Sequence, residues 1–194
     1  SFVVAPTVFD IITSVSPDEI GFYNTYFASQ VSWAITDALR IGYRIGGYIP
    51  QDGPVAYNYG TIEQRAGLTY LANGLQMTAN FMYGVTVGNG QQDRGPDYFV
   101  ADLSATQTFG KWQLGPVMYA TVDLTSPYAG YQKQSQVAVG GLVGYDFGGA
   151  TLQLKLTTDV SESNYGGRET VVWSNLIIPL WTAKPAPAAP AVHK

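Results

Sequence analysis

The chain contains no cysteine, a single histidine (His193), and charged residues at only 12% of its positions. Without Cys there is no disulfide framework and no thiolate metal site. With its one His close to the last residue, a nucleophile–histidine pair has no fixed base. The charged fraction is about half that of an average soluble domain. Strong basicity is also missing: the formal net charge is −4, which gives no support for nucleic-acid binding. No apolar run reaches roughly 18 residues, so no transmembrane helix is expected. Neither an initiator Met nor a signal peptide stands at Ser1. An exported protein would have lost its signal, so this does not argue for the cytoplasm.

What the sequence has is alternation. From Leu75 the odd positions read Leu75, Met77, Ala79, Phe81, Tyr83, Val85 and Val87, and the even ones Gln76, Thr78, Asn80, Met82, Gly84 and Thr86. Side chains alternate across a strand with period two, so residues 75–87 predict a strand with one apolar and one mostly polar face. The pattern outlasts an ordinary globular strand of about five or six residues. It recurs cleanly in 22–33, 39–49, 111–124 and 151–160, and less cleanly in 59–71, 98–109 and 132–147. In 22–33 it sets Tyr23, Phe27, Val31 and Trp33 against Asn24, Gln30 and Ser32. Residues 2–14 and 169–181 also read as strands, with a facing that alternation does not assign.

Short turns rich in Gly, Asn and Asp (35–39, 71–75, 108–112, 146–150) alternate with longer polar links (15–20, 50–58, 88–97, 125–133, 161–169). Short turns at one end and long loops at the other describe an outer-membrane barrel. The polar faces carry Gln, Thr, Asn, Ser, Gly and Tyr rather than many Lys and Glu, which disfavours a soluble lipocalin-like barrel. Aromatics near strand ends (Tyr23, Trp33, Phe109, Trp112, Tyr145, Phe147, Trp173, Trp181) match the girdles of a membrane barrel. The expected fold is all-β: a transmembrane antiparallel up-and-down β-barrel of about ten strands, or twelve if N-terminal strands are missing. It spans residues 1–181, and 182–194 form a Pro/Ala-rich periplasmic tail that either ends free or leads to a further domain.

The polar parity gathers Arg40, Arg44, Glu63, Arg65, Asp102, Lys111, Asp123, Asp146, Lys155 and Asp159 in the lumen, five basic and five acidic groups. They form either a constriction that filters solutes or an ion-pair network that fills a narrow barrel, with Arg44 and Glu63 a plausible pair. The loops carry Tyr57, Tyr59, Tyr98, Tyr128, Tyr131 and Tyr165, an aromatic entrance for a hydrophobic solute or a contact for a partner protein. Catalysis finds no footing. Asp102 and Asp123 are not marked as an acid pair, no metal-ligand pattern occurs, and Gly-rich 88–95 lacks the helix and the ending of a phosphate loop. No cofactor and no enzyme activity are expected.

The C-terminal stretch 139–181 resembles the outer-membrane proteins of the meta-pathway phenol-degradation family. Gly144, Tyr145, Phe147, Lys155, Gly167, Trp173, Asn175, Leu176 and Pro179 carry the likeness. The resemblance implies a Gram-negative outer-membrane barrel and a channel for small hydrophobic or aromatic solutes. The partners expected are the lipid bilayer, such a solute and other membrane proteins. The alternatives are a non-conducting structural barrel, acting as an anchor or as a subunit of a larger assembly, and a soluble ligand-binding barrel.

Overall fold

The computed structural model describes residues 2–11, 19–88 and 94–179, and these contain no helix. They form ten strands: β1 (Phe2–Ile11), β2 (Glu19–Ala34), β3 (Leu39–Tyr48), β4 (Gly60–Ala72), β5 (Leu75–Val87), β6 (Tyr98–Phe109), β7 (Trp112–Asp123), β8 (Ser135–Asp146), β9 (Thr151–Ser163) and β10 (Thr170–Ile177). All belong to one sheet in which each strand pairs with the next in the chain, antiparallel throughout. The expected up-and-down architecture of ten strands is therefore the observed one. The Pro/Ala-rich tail and Trp181 lie outside the described residues.

Turn chemistry fixes the tight ends. Asn73 and Gly74 both take positive φ (53° and 78°), as the two-residue hairpin turn between β4 and β5 requires. Thr36 Oγ1 accepts from the amides of Ala38 (3.2 Å) and Leu39 (2.9 Å), closing the β2–β3 turn. Asp146 Oδ1 accepts from Gly148 N at 2.7 Å in the β8–β9 turn.

The two faces differ as the alternation requires. On β5, Phe81 and Tyr83 are exposed on the outer face, while Thr86 is buried on the inner one. Outward positions of β2–β10 carry no Asp, Glu, Lys or Arg. The outward Gln64 is matched by a hydrogen bond of 2.7 Å from the hydroxyl of Tyr43, diagonally across on β3. Outward aromatics gather at the short-turn end, where Trp112 packs edge-on to Tyr145 at 4.7 Å and Tyr145 to Phe147 at 4.8 Å.

The sheet rolls up. Laid flat, β2 and β10 would stand roughly 38 Å apart, eight strand spacings. Yet Tyr23 and Asn24 of β2 line the same cavity as Trp173 of β10. The inner faces of the strands thus surround a common interior.

Two facings differ from the simple alternation. A bulge in β2 leaves two of its residues, Asn24 and Thr25, opposite the single residue Pro6, because Ala5 pairs with Tyr26 but Thr7 with Tyr23. The extra residue reverses the parity, so Ile20 and Phe22 are exposed outside and Tyr23 turns inward. Trp173 also faces inward, directly opposite the inward Lys155, whose ammonium lies 5.5 Å from its ring centre. Neither ring belongs to the outer girdle.

Candidate functional site

The interior at the long-loop end opens into a cavity of about 980 Å³. All six loop tyrosines expected to act together line it: Tyr57, Tyr59, Tyr98, Tyr128, Tyr131 and Tyr165. They come from four separate chain segments. Strand tyrosines Tyr23 and Tyr48 complete the aromatic wall. Tyr57 and Tyr59 stack at 4.9 Å, Tyr23 meets the edges of Tyr48 (5.6 Å) and Tyr57 (5.9 Å), and Tyr128 lies 5.3 Å from Tyr131. Such rings present apolar faces with a hydroxyl at one end, which suits a small solute that is largely apolar.

Buried polar groups hold the long loops in place. Asn24, at the β2 bulge, is almost wholly buried. Its Nδ2 donates to the carbonyls of Ile49 (2.8 Å) and Tyr57 (2.6 Å), and its Oδ1 accepts from Tyr57 N at 2.7 Å. One side chain therefore folds the β3–β4 loop over the mouth. Asp123 Oδ2 accepts from the Tyr131 hydroxyl (2.6 Å) and from Gln134 N (2.8 Å), anchoring the β7–β8 loop. Burial pushes the Tyr59 phenol up to about 12, with the neighbouring Tyr57 and Asp123 adding to the effect. Tyr131 and Tyr165 are raised as well, chiefly by burial, and Tyr131 further by its bond to Asp123. These hydroxyls remain neutral at ordinary pH.

Beneath the tyrosines the interior is crossed by a polar network. Glu63, only 2% exposed, takes a hydrogen bond from the Tyr98 hydroxyl and an ion pair from Arg65 at 2.8 Å. The register explains the reach. Glu63 of β4, Gly84 of β5 and Tyr98 of β6 stand side by side, so Tyr98 lays its ring across the bare glycine to meet the carboxylate. On the other flank Glu63 pairs with Gly46, and Tyr26 leans over that glycine with its ring 5.3 Å from the Arg65 guanidinium. Removing two side chains from the wall makes room for two tyrosines.

Below lies a second chamber of about 400 Å³, lined by Arg40, Arg44, Arg65 and Asp102 among others. A third, about 550 Å³, runs along the β7–β10 side past Asp102, Lys155 and Trp173. Arg65 borders the first two chambers, and Met82 borders all three.

Of the expected lumen residues, Arg40, Arg44, Glu63, Arg65, Asp102, Asp123 and Lys155 thus line these spaces. Lys111 does not: it sits exposed in the β6–β7 turn, away from all three. Asp146 caps a turn, and Asp159 is buried against Gln136 Nε2 (2.8 Å) and Glu169 N (2.9 Å). The Arg44–Glu63 pair does not form. Arg44 stands opposite Arg65 and donates through Nε to Gln30 Oε1 at 2.9 Å, while Glu63 takes the arginine two residues along its own strand.

The alternation placed Asn24 on the polar face, where it stands, but turned Tyr23 to the apolar one, because a bulge leaves no mark on it; neither was among the expected site residues. Tyr48 shares the parity of Arg40 and Arg44 in 39–49, and the fold brings it to the cavity wall.

An antiparallel up-and-down sheet of ten strands with an uncharged outer face, rolled around a polar interior with a tyrosine mouth, defines an all-β protein of the up-and-down class. A family model described as "Putative MetA-pathway of phenol degradation" matches residues 3–176, and the chain belongs to that family. Neither the curated proteins nor the solved structures compared with it include a significant match.

Proposed function

We propose that this protein is a channel of the bacterial outer membrane for small hydrophobic or aromatic solutes, with the tyrosine-lined cavity as the entrance. The observation that carries the reading is the convergence of six tyrosines from four segments, five in loops and Tyr98 at the start of β6, on one 980 Å³ space. Loop rings without a common role have no reason to meet. The uncharged outer face supports the membrane setting, since a charge at mid-bilayer costs about 2–4 kcal/mol. Family membership supports the aromatic character of the solute. Passage then runs from the tyrosines, past Glu63 and Arg65, into the arginine-lined chamber.

The test is influx of labelled 4-hydroxybenzyl alcohol into proteoliposomes. Reconstituted protein should raise influx above protein-free vesicles. Losing the ring contacts of both Tyr59 and Tyr131 to Ala should lower it about tenfold, two aromatic contacts at roughly 0.5–1.5 kcal/mol each. Influx equal to that of empty vesicles would sink the channel. The Glu63–Arg65–Tyr98 network, which crosses the interior, would then favour the second reading, a non-conducting barrel that anchors or joins a larger membrane assembly.

A further inference from the structure

The arginine-lined chamber carries a local excess of positive charge. Arg40, Arg44 and Arg65 face one carboxylate there, Asp102. Arg65 is neutralised by Glu63 at 2.8 Å, and among the described residues neither Arg40, Arg44 nor Asp102 forms an ion pair. Arg44 and Arg65 are direct cross-strand partners with side chains on the same face, an arrangement in which like charges repel. Gln30, the acceptor for Arg44, is neutral.

The wall also leaves space beside these guanidinium groups. Gly42 pairs with Gly67 across β3 and β4, both on the inner face between Arg40 and Arg44. A Cβ at Gly67 would stand 2.9 Å from Asn80 Oδ1, so the bare backbone there is part of the chamber's shape. Among the described residues Arg44 and the more exposed Arg40 form no ion pair, outnumber the one carboxylate of the chamber, and stand next to open volume, which suits an oxyanion held through charge-assisted, forked hydrogen bonds.

We infer that this chamber is an anion site, and that the solute taken up through the tyrosine cavity is an aromatic carboxylate. The ring meets the tyrosines and the carboxylate meets Arg44 and Arg40. This deepens the channel reading and rests on it. Met82 and Arg65, which border both chambers, are where the two contacts hand over.

Equilibrium binding to the detergent-purified full chain separates the two ideas. The probes are benzoate, ionised at neutral pH, and benzyl alcohol, its uncharged counterpart. Wild type should bind benzoate at least about tenfold more tightly, the value of a charge-assisted contact. Arg44→Gln should abolish that preference while leaving benzyl alcohol unchanged, Arg44→Lys should retain much of it, and Arg40→Gln should weaken it. Heat-modifiable migration on gels confirms that each variant is folded. If wild type binds the two probes equally, or Arg44→Gln and Arg40→Gln both keep the preference, the anion site is wrong and the aromatic entrance stands. If neither probe binds, both readings fall.

Discussion

Glu63→Ala is expected to destabilise the folded protein by about 3 kcal/mol, read as a shift in guanidinium unfolding after refolding into lipid vesicles. Breaking a buried pair by deleting one partner typically costs about 3–5 kcal/mol, and the 28% exposure of the Arg65 side chain places this case at the lower end. Two groups lose a partner together, and a repulsion is uncovered. Arg65 keeps only the face of Tyr26, the Tyr98 hydroxyl loses its acceptor, and the cross-strand repulsion between Arg65 and Arg44 is no longer offset. Glu63→Gln retains an acceptor for Tyr98 and should cost about half as much. Adding Arg65→Met to Glu63→Gln should recover part of the loss, since an apolar replacement of the whole pair leaves no charge stranded. A Glu63→Ala protein as stable as wild type would mean that the network is ornamental.

Gly84→Val should produce a comparable loss by a different route. A Cβ built at Gly84 would stand 2.2 Å from Cζ of Tyr98 and within 2.6 Å of both Cε atoms. The ring cannot stay, so overpacking costs about 1–3 kcal/mol and the bond to Glu63 goes with it. The prediction is sharpened by a double-mutant cycle. In a Tyr98→Ala background the nearest clashing atoms are gone, and Gly84→Val should then cost little, giving a coupling of about 2 kcal/mol. Additive effects would show that Gly84 serves the backbone of β5 and not the ring of Tyr98.

Much of this fold is legible in the sequence because a rolled sheet between two unlike environments imposes period two without relief. The bounds of β5 and β6 are those the alternation marks, at 75–87 and 98–109. Where parity was locally broken, legibility failed. The Asn24 bulge turned Tyr23 from the outer girdle to the inner wall. In β10 the successive apolar residues Val171, Val172 and Trp173 carry no alternation, so the inward facing of Trp173 was hidden. Charges behaved likewise. Parity put Arg44, Glu63 and Arg65 on one face, but only the register shows Arg44 opposite Arg65 and Glu63 opposite glycine. The five-against-five balance of the expected lumen concealed a local excess, since Lys111, Asp146 and Asp159 lie away from the arginine chamber. The loop tyrosines were visible as a composition, whereas their meeting depends on tethers such as Asn24, which no periodicity marks.

On the proposed reading, Glu63, Arg65 and Tyr98 narrow a passage through the interior. Single-channel conductance in a planar bilayer addresses it most directly, with wild type compared against Tyr98→Ala. Wild type should show small discrete openings, and unit conductance should rise once the ring lying across Gly84 is removed. Heat-modifiable, folded protein that stays silent in both forms would contradict that reading.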